Sequence, residues 1–286
     1  VAYLFGHDAQ DYGTDSDESI INCGSFTNNS ASVGVEVNLG WEPQWLLIKG
    51  ASSGSGLGNW ALIDNMRGAS VDSQQRLYAN ATTAEGSSNW FKFTSRGFTP
   101  NTYFDGTLIY IAIRRPMKTP EAGTEVFKAV ARSGNSTAGT SITCGFPLDW
   151  VVTQGRSAAI EPISYTRLQG SNRKLFTYSA SAEGSSGTNV ITSFDQDGMT
   201  VGTDTDINNS SYTYINWFFK RATGFMDVAI HEGNQQASRD LPHNLTVTPE
   251  MYMVKSRTTG ESWYVYHKDM DSTAPEDFSC KLDNNS

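Results

Sequence analysis

Asp64 and Arg67 stand three residues apart in the run Asn59-Trp60-Ala61-Leu62-Ile63-Asp64-Asn65-Met66-Arg67-Gly68. A carboxylate and a guanidinium at that spacing bracket a turn, with Gly68 closing it. Presented outward, such a pair can hydrogen-bond the hydroxyls of a sugar. Turned back on itself, the Asp caps the turn and pairs with the Arg, worth roughly 0–1 kcal/mol if exposed. The aromatic residues nearest to loops in the same stretch are Trp41, Trp60, Trp90 and Tyr78. A flat exposed ring is a stacking surface for a pyranose face, whereas a Trp at a strand end ordinarily covers the end of a core with its N–H bonded to a carbonyl. Trp45 and Trp150 lie inside apolar runs and are expected in cores. The candidate ligand-binding residues are therefore Trp60, Asp64, Arg67, Tyr78 and Trp90, set against the plainer reading of a capped turn and core-edge rings.

Other arrangements offer less chemistry. Asp195-Gln196-Asp197-Gly198 carries the acids of a calcium loop. An EF-hand, however, needs ligands at about positions 1, 3 and 5, Gly at 6 and Glu at 12. Asp-Gly between two apolar stretches predicts a hairpin turn instead. His7, His231, His243 and His267 are scattered, with no metal-ligand spacing among them, and no phosphate-binding glycine loop is present. No catalytic residue, metal ligand or cofactor is assigned. A carboxylate pair for glycoside hydrolysis is defined by a separation in space of about 5–9.5 Å, so a polysaccharide-cutting enzyme remains the alternative to a non-enzymatic protein.

Composition narrows the class. The 286 residues are 38% hydrophobic and 12% aromatic, enough for packed cores rather than disorder. A net charge of −9 and only isolated basic pairs, such as Arg114-Arg115 and Arg173-Lys174, argue against a nucleic-acid partner. No apolar run approaches the roughly 18 residues of a membrane span, so no membrane insertion is expected. Cys23, Cys144 and Cys280 fall at unrelated points of the chain, which predicts small buried or half-buried thiols rather than a disulfide framework. Asn-x-Ser/Thr triplets, such as Asn80-Ala81-Thr82 and Asn244-Leu245-Thr246, read as turn chemistry in a chain rich in these residues.

The elements that must position the candidate residues recur along the chain. Pro43-Gln44-Trp45-Leu46-Leu47-Ile48-Lys49 is a proline opening an apolar, strand-like run. Pro147-Leu148-Asp149-Trp150-Val151-Val152 follows 104 positions later and Pro249-Glu250-Met251-Tyr252-Met253-Val254-Lys255 another 102. Ala84-Glu85-Gly86-Ser87-Ser88 returns as Ala182-Glu183-Gly184-Ser185-Ser186, and Trp60 to Asp64 is echoed by Trp263 to His267. The closing run Leu108 to Ile113 is echoed by Tyr212 to Phe218, and Val1-Ala2-Tyr3-Leu4-Phe5 resembles the same run from an earlier unit. The period is that of a domain, not of a solenoid.

Short strands every 8–12 residues, with Gly, Asn, Asp and Ser between them, predict tandem antiparallel β-sandwiches. Strands are expected near 20–26, 35–39, 45–48, 60–63, 77–79, 90–94 and 108–113, and again from Glu125 to Phe219. Phe225–Ile230 is expected to open the third unit almost without a linker. The one helical turn suggested, near Thr83-Ala84-Glu85, is too short to matter. Five segments result: the end of a preceding repeat with its acidic linker (1–19), a first sandwich (20–117), a Pro/Thr-rich linker (118–124), a second sandwich (125–222) and a partial third repeat (223–286). The chain is expected to be a segment of a longer polypeptide.

Leu39-Gly40-Trp41-Glu42-Pro43, Asn59 to Gly68, Asn80-Ala81-Thr82-Thr83-Ala84-Glu85, Gly97-Phe98, Thr192 to Gly202 and Lys255-Ser256-Arg257 resemble the repeated phrases of lectin-like (concanavalin-like) β-sandwich domains. Such domains occur in tail-fibre, head-fibre and other virion structural proteins of tailed, especially marine, bacteriophages. The resemblance spans nearly the whole chain. It implies a structural protein on an exposed virion appendage, assembled in the host cytoplasm, often trimeric, contacting other virion proteins and contributing to host-surface polysaccharide attachment. The second unit keeps only Thr166-Arg167-Leu168-Gln169-Gly170 of the acid–Arg phrase, so a ligand site built on that phrase would belong to the first unit. A filament or decoration protein with no ligand is the remaining alternative.

Overall fold

The computed structural model describes residues 1–7, 12, 19–29, 36–52, 54–68, 74–101, 103–115, 118–171, 173–185, 187, 189–231, 233, 235 and 238–284. Most of the acidic stretch 8–19, residues 30–35, residues 116 and 117 beside the linker, and Ser186 of the repeated marker lie outside these residues. The chain divides into two compact units. One comprises Val1–Met117 with Val228–Asn244, the other Lys118–Asp227 with Leu245–Ser286.

The first unit contains β1 (Ile21–Asn28), β2 (Val37–Asn38), β3 (Pro43–Gly50), β4 (Ala61–Asp64), β5 (Gln74–Tyr78), β6 (Gly86–Ser88), β7 (Phe91–Thr94), β8 (Gly97–Pro100) and β9 (Gly106–Arg114). Six strands form an antiparallel sheet in the order β1-β9-β3-β4-β5-β6, and a second sheet runs β2-β8-β7. Leu46, Ile48, Ala61, Ile63, Leu108 and Ala112 from the large sheet meet Phe91, Phe93 and Phe98 from the small one in a single buried core. That is a β-sandwich, and each strand alternates one face inward and one outward.

In the second unit the chain forms β10 (Phe127–Ser133), β11 (Thr140–Thr143), β12 (Trp150–Gly155), β13 (Ile163–Thr166), β14 (Arg173–Phe176), β15 (Gly184–Ser185), β16 (Ile191–Phe194), β17 (Gly198–Val201), α1 (Thr205–Asn208) and β18 (Thr213–Phe219). The order β10-β18-β12-β13-β14-β15, with β11-β17-β16 as the second sheet, is that of the first unit strand for strand. A second core of Val151, Ile163, Tyr165, Met199, Val201 and Phe218 lies between them. The chain then adds β19 (Met251–Val254), β20 (Tyr264–His267) and β21 (Cys280–Lys281), a three-stranded antiparallel sheet in that order. The fold is all-β and of sandwich type.

Hairpin chemistry holds the repeat in register. Gly97 opens β8 and Gly198 opens β17, and at both places another strand's carbonyl fills the space a side chain would need. A Cβ on Gly97 would lie 1.9 Å from the Val37 carbonyl oxygen, and one on Gly198 would lie 2.1 Å from that of Ile142. The Asp195–Gly198 turn is a hairpin, with Asp195 N–H donating to the Gly198 carbonyl at 2.8 Å. Its carboxylate accepts from Ser193 Oγ (2.6 Å) and Thr200 Oγ1 (2.7 Å) and so serves the turn.

Several expectations need correction. Trp45 and Trp150 are half-buried on outer sheet faces, not in cores. A bulge between Pro43 and Trp45 sets the register against β9, so Leu46 and Ile48 point inward and Trp45 outward. Trp150 stacks on Phe219 at 4.5 Å and donates from Nε1 to Ser164 Oγ. Trp41, by contrast, is buried in the first core. Val1–Phe5 forms no strand and is exposed. Phe225–Ile230, expected to open the third unit, forms no strand. With Gly224 at φ +70°, the chain reverses there, and only the isolated bridge Ala222–Met226 forms. No helical turn forms at Thr83–Glu85. The helix is α1, capped by Asp204 accepting from Asp206 N–H at 2.8 Å. The three cysteines are free, but Cys280 is exposed on a strand at the edge of its sheet.

Candidate functional site

The five candidate residues come together at one end of the first unit's large sheet, but on its two different faces. In β4 the inward positions are Ala61 and Ile63, and the outward ones are Leu62 and Asp64. Opposite them in β5, Tyr78 pairs with Ala61 and Arg76 with Ile63. Directly opposed residues share a face. Tyr78 and Arg76 therefore lie on the core side, while Trp60, Asp64 and Arg67 lie on the outer side.

On the outer side Asp64 caps its own turn. Its Oδ1 accepts from Arg67 N–H at 2.8 Å and its Oδ2 from Arg67 Nε at 2.6 Å. Arg67 also reaches Glu85 Oε2 at 2.9 Å and the Leu62 carbonyl at 3.1 Å. Glu85 directly precedes β6, so a guanidinium bridges two carboxylates across the β4–β5–β6 end of the sheet. Burial is the largest single influence on Arg67 and works against its charge, yet its bonds to Glu85 and Asp64 outweigh it and raise its pKa. Both oxygens of Asp64 are thus committed to Arg67. Beside them Lys49 Nζ sits 5.8 Å from the Trp60 ring centroid while donating to the Gly58 carbonyl.

On the core side Trp90 and Tyr78 are tilted partners, 6.4 Å between centroids. The Arg76 guanidinium lies 4.0 Å from the Trp90 centroid and 5.6 Å from that of Tyr78. It donates to the Tyr78 hydroxyl and the Ser87 carbonyl, both at 2.9 Å. Trp90 also meets Phe104 edge-on at 5.4 Å. The ring faces of Trp60 and Trp90 therefore each carry a cation from their own unit. Lys49, Arg76 and Glu85 complete this arrangement and were not among the candidates. The signals available were the lysine ending the Pro43 run and the repeated Ala-Glu-Gly.

In the second unit the matching positions are differently furnished. Asp64 pairs with Trp45 as Thr166 pairs with Trp150. Gln169 stands three residues after Thr166, where Arg67 follows Asp64, and donates to Glu183, the counterpart of Glu85 in the repeated Ala-Glu-Gly. The guanidinium comes from elsewhere in the chain: Arg257 grips Glu183 with two bonds of 2.7 Å. Glu183 N–H also donates to the Arg257 carbonyl at 2.8 Å. Arg167, which the sequence offers only as part of the reduced acid–Arg phrase, is buried. It ties the Leu148, Phe194 and Asp195 carbonyls together at 2.9, 3.1 and 3.1 Å.

Other chemistry is sparse. Gly50-Ala51-Ser52-Ser53-Gly54 spells the letters of a nucleophile elbow. That motif needs a strand–turn–helix context, and no helix follows it in the described residues. Ser52 Oγ instead accepts from Thr107 N–H at 3.0 Å. Among the described residues, no group of three or more His, Cys, Asp or Glu is placed to hold a metal ion. A groove of about 300 Å³ in the first unit is lined by Asn38, Gly40, Arg96, Asp240, Leu241 and Pro242. One of about 560 Å³ in the second lies against Pro120, Val126, Phe127 and Phe225. Neither touches the five candidates.

The family model described as "Domain of unknown function (DUF7483)" matches residues 11–112 and 122–285. The chain belongs to that family. No curated protein and no solved structure matches it.

Proposed function

We propose that this chain is a non-enzymatic structural protein, a segment of a bacteriophage fibre or other exposed virion appendage, whose sandwich units contribute to attachment to host-surface glycan. One observation carries the reading: the same nine-strand order occurs twice in one chain. In the first unit, moreover, the acids and aromatic rings most suited to chemistry are engaged by cations of the same unit. Repetition of a stiff sandwich extends a surface away from a particle, and weak contacts on repeated units gain from effective concentration. Loops at sandwich ends are where such contacts are made. Homotrimerisation, with contacts to other virion proteins, belongs to the same proposal.

A second reading, a filament or decoration protein with no ligand, is favoured by one specific feature. Lys49 and Arg76 already lie over Trp60 and Trp90, so a sugar would have to displace a cation before stacking. Incubation with polysaccharide purified from the host surface separates the readings. Binding without release of reducing ends, lost in Trp60→Ala or Trp90→Ala, is the expected result. Release of reducing ends would replace the proposal with a depolymerase. No binding at all would leave the ligand-free filament.

A further inference from the structure

The long central strands of both large sheets are apolar on their outer as well as their inner side. An antiparallel sheet with one face in water alternates apolar and polar residues, whereas a strand apolar at every position is normally covered on both faces. In β9 the core side takes Leu108, Tyr110 and Ala112, yet the outer side carries Ile109, Ile111 and Ile113. Trp45 and Leu47 of β3 lie directly opposite Ile113 and Ile111. The second unit repeats this. β18 buries Tyr214, Asn216 and Phe218 and turns Ile215, Trp217 and Phe219 outward, with Trp150 and Val152 of β12 opposite Phe219 and Trp217. Polarity there is even reversed: Thr153 Oγ1 donates to Asn216 Oδ1 at 3.0 Å on the core side, while the rings stand outside. None of these outward residues is buried by the chain itself.

Size and charge indicate what covers them. Three strands about 4.8 Å apart, each with the seven residues of β18 at a rise of about 3.3 Å, present about 330 Å² per unit. A patch of about 300–600 Å² on a monomer often marks an interaction site, and this chain carries two at equivalent places. The outward positions of β10, β18 and β12 hold no charged residue. Those of β1, β9 and β3 hold only Lys49, at the margin beside Trp60. The chain's net charge of −9 therefore lies elsewhere, and two copies can meet on these faces without opposing like charges. A partner for both faces must also offer apolar surface once per repeat, which a second copy does.

We infer that a second copy of this chain covers the outer faces of β1-β9-β3 and β10-β18-β12. The inference rests on the self-association in the fibre reading and names the surface that carries it. One face against its partner buries about 660 Å² in total, short of the roughly 1,000 Å² of a specific interface. The two faces of one chain bury about 1,300 Å² together, so both units are required. Attachment to host glycan plays no part in the contact.

Sedimentation equilibrium tests this with the unaltered chain and three variants, Ile109→Lys, Ala129→Lys and Ser141→Lys. Ile109 and Ala129 lie on the two faces and are exposed, so each substitution leaves its core alone; Ser141 is exposed on the smaller sheet of the second unit. Circular dichroism checks each fold. Every added lysine lowers the net negative charge, so general repulsion cannot account for a loss of association. The unaltered chain should gain mass beyond that of one chain between about 10 μM and about 1 mM, the window in which a sub-millimolar Kd registers. Ile109→Lys and Ala129→Lys should each weaken association at least about tenfold, and Ser141→Lys should leave it unchanged. A single-chain mass for the unaltered protein throughout overturns the inference together with the self-association it rests on. Association kept in either face variant overturns the inference alone and leaves that reading standing. An equal loss in Ser141→Lys overturns it too, because the faces would then have no special part.

Discussion

Replacing Tyr165 with Phe should make the second unit more stable, and the structure sets the size of the gain. Tyr165 is fully buried in the second core, and its hydroxyl is a buried polar atom with no hydrogen-bond partner among the described residues. A buried donor left unpaired costs about 1–3 kcal/mol, and Phe keeps the ring while removing the cost. The first unit shows that the position needs no hydroxyl: Ile63 opposes Leu46 there as Tyr165 opposes Val151. At about 2–4 °C per kcal/mol for a domain of this size, Tyr165→Phe should raise the melting temperature of the second unit by roughly 2–12 °C. The gain should widen in alkali. Burial, with Asp204 and Asp206 adding their charge, pushes the phenol well above its usual pKa. The folded phenol therefore keeps its proton when the unfolded one loses it, near pH 10. Wild-type stability then falls as pH rises past that point, by about 1.4 kcal/mol per unit, and the Phe variant escapes that loss. Calorimetry at pH 7 and pH 10.5, with the two units' transitions resolved, is the assay. An unchanged or lower melting temperature for the variant at pH 7 would refute the reasoning, because it would mean that the hydroxyl is paired or that the core shifts to satisfy it.

Gly97→Ala and Gly198→Ala should each destabilise their own unit by about 3 kcal/mol or prevent its folding, since a Cβ would collide with the Val37 or Ile142 carbonyl; urea titration reads the loss. Arg257→Ala should strip Glu183, whose side chain is 5% exposed, of its bidentate partner. Gln169 and the more distant Arg173, 3.8 Å from Glu183 Oε1, remain, so the loss should be about 1–3 kcal/mol, and as the segment carrying Trp263 loosens, tryptophan emission should move to the red. Asn208→Ala should cost at least about 2 kcal/mol. Its amide N–H groups reach Asn135 Oδ1 and the Thr137 and Gly202 carbonyls, and its oxygen accepts from Asn135 N–H and Arg132. Equilibrium unfolding monitored by circular dichroism checks it. Burial is the largest influence on the Glu36 carboxyl and pushes its pKa up, but bonds from Arg96 and Thr94 hold it below the usual carboxylate value. Its stabilisation is present above the unfolded pKa near 4.3 and is lost as pH falls through the lower folded value. Glu36→Gln should therefore lower stability at pH 7 and match wild type near pH 2 in thermal melts.

The sequence by itself determined the all-β class. Period-two runs such as Trp60 to Asp64, bounded by Gly, Asn and Asp, can bury one face only as strands. The proline-led runs and the Ala-Glu-Gly marker pointed to repetition, and Asp195–Gly198 was legible as a turn because its backbone conformation is a local matter. Tertiary structure decided what depends on register and on partners distant in the chain. A single bulge after Pro43 turned Trp45 outward, although its neighbours were as apolar as any core segment. Val1–Phe5 has a strand's composition but pairs with no strand among the described residues, and composition cannot supply a partner. The candidate site shows the same division. Asp64 and Arg67 could be paired from their spacing, but Lys49 and Arg76 lie over rings contributed by other strands. Arg257 reaches Glu183 across more than seventy residues of chain. Pairing a charge with a ring or an acid is a matter of distance in space, which local pattern does not encode.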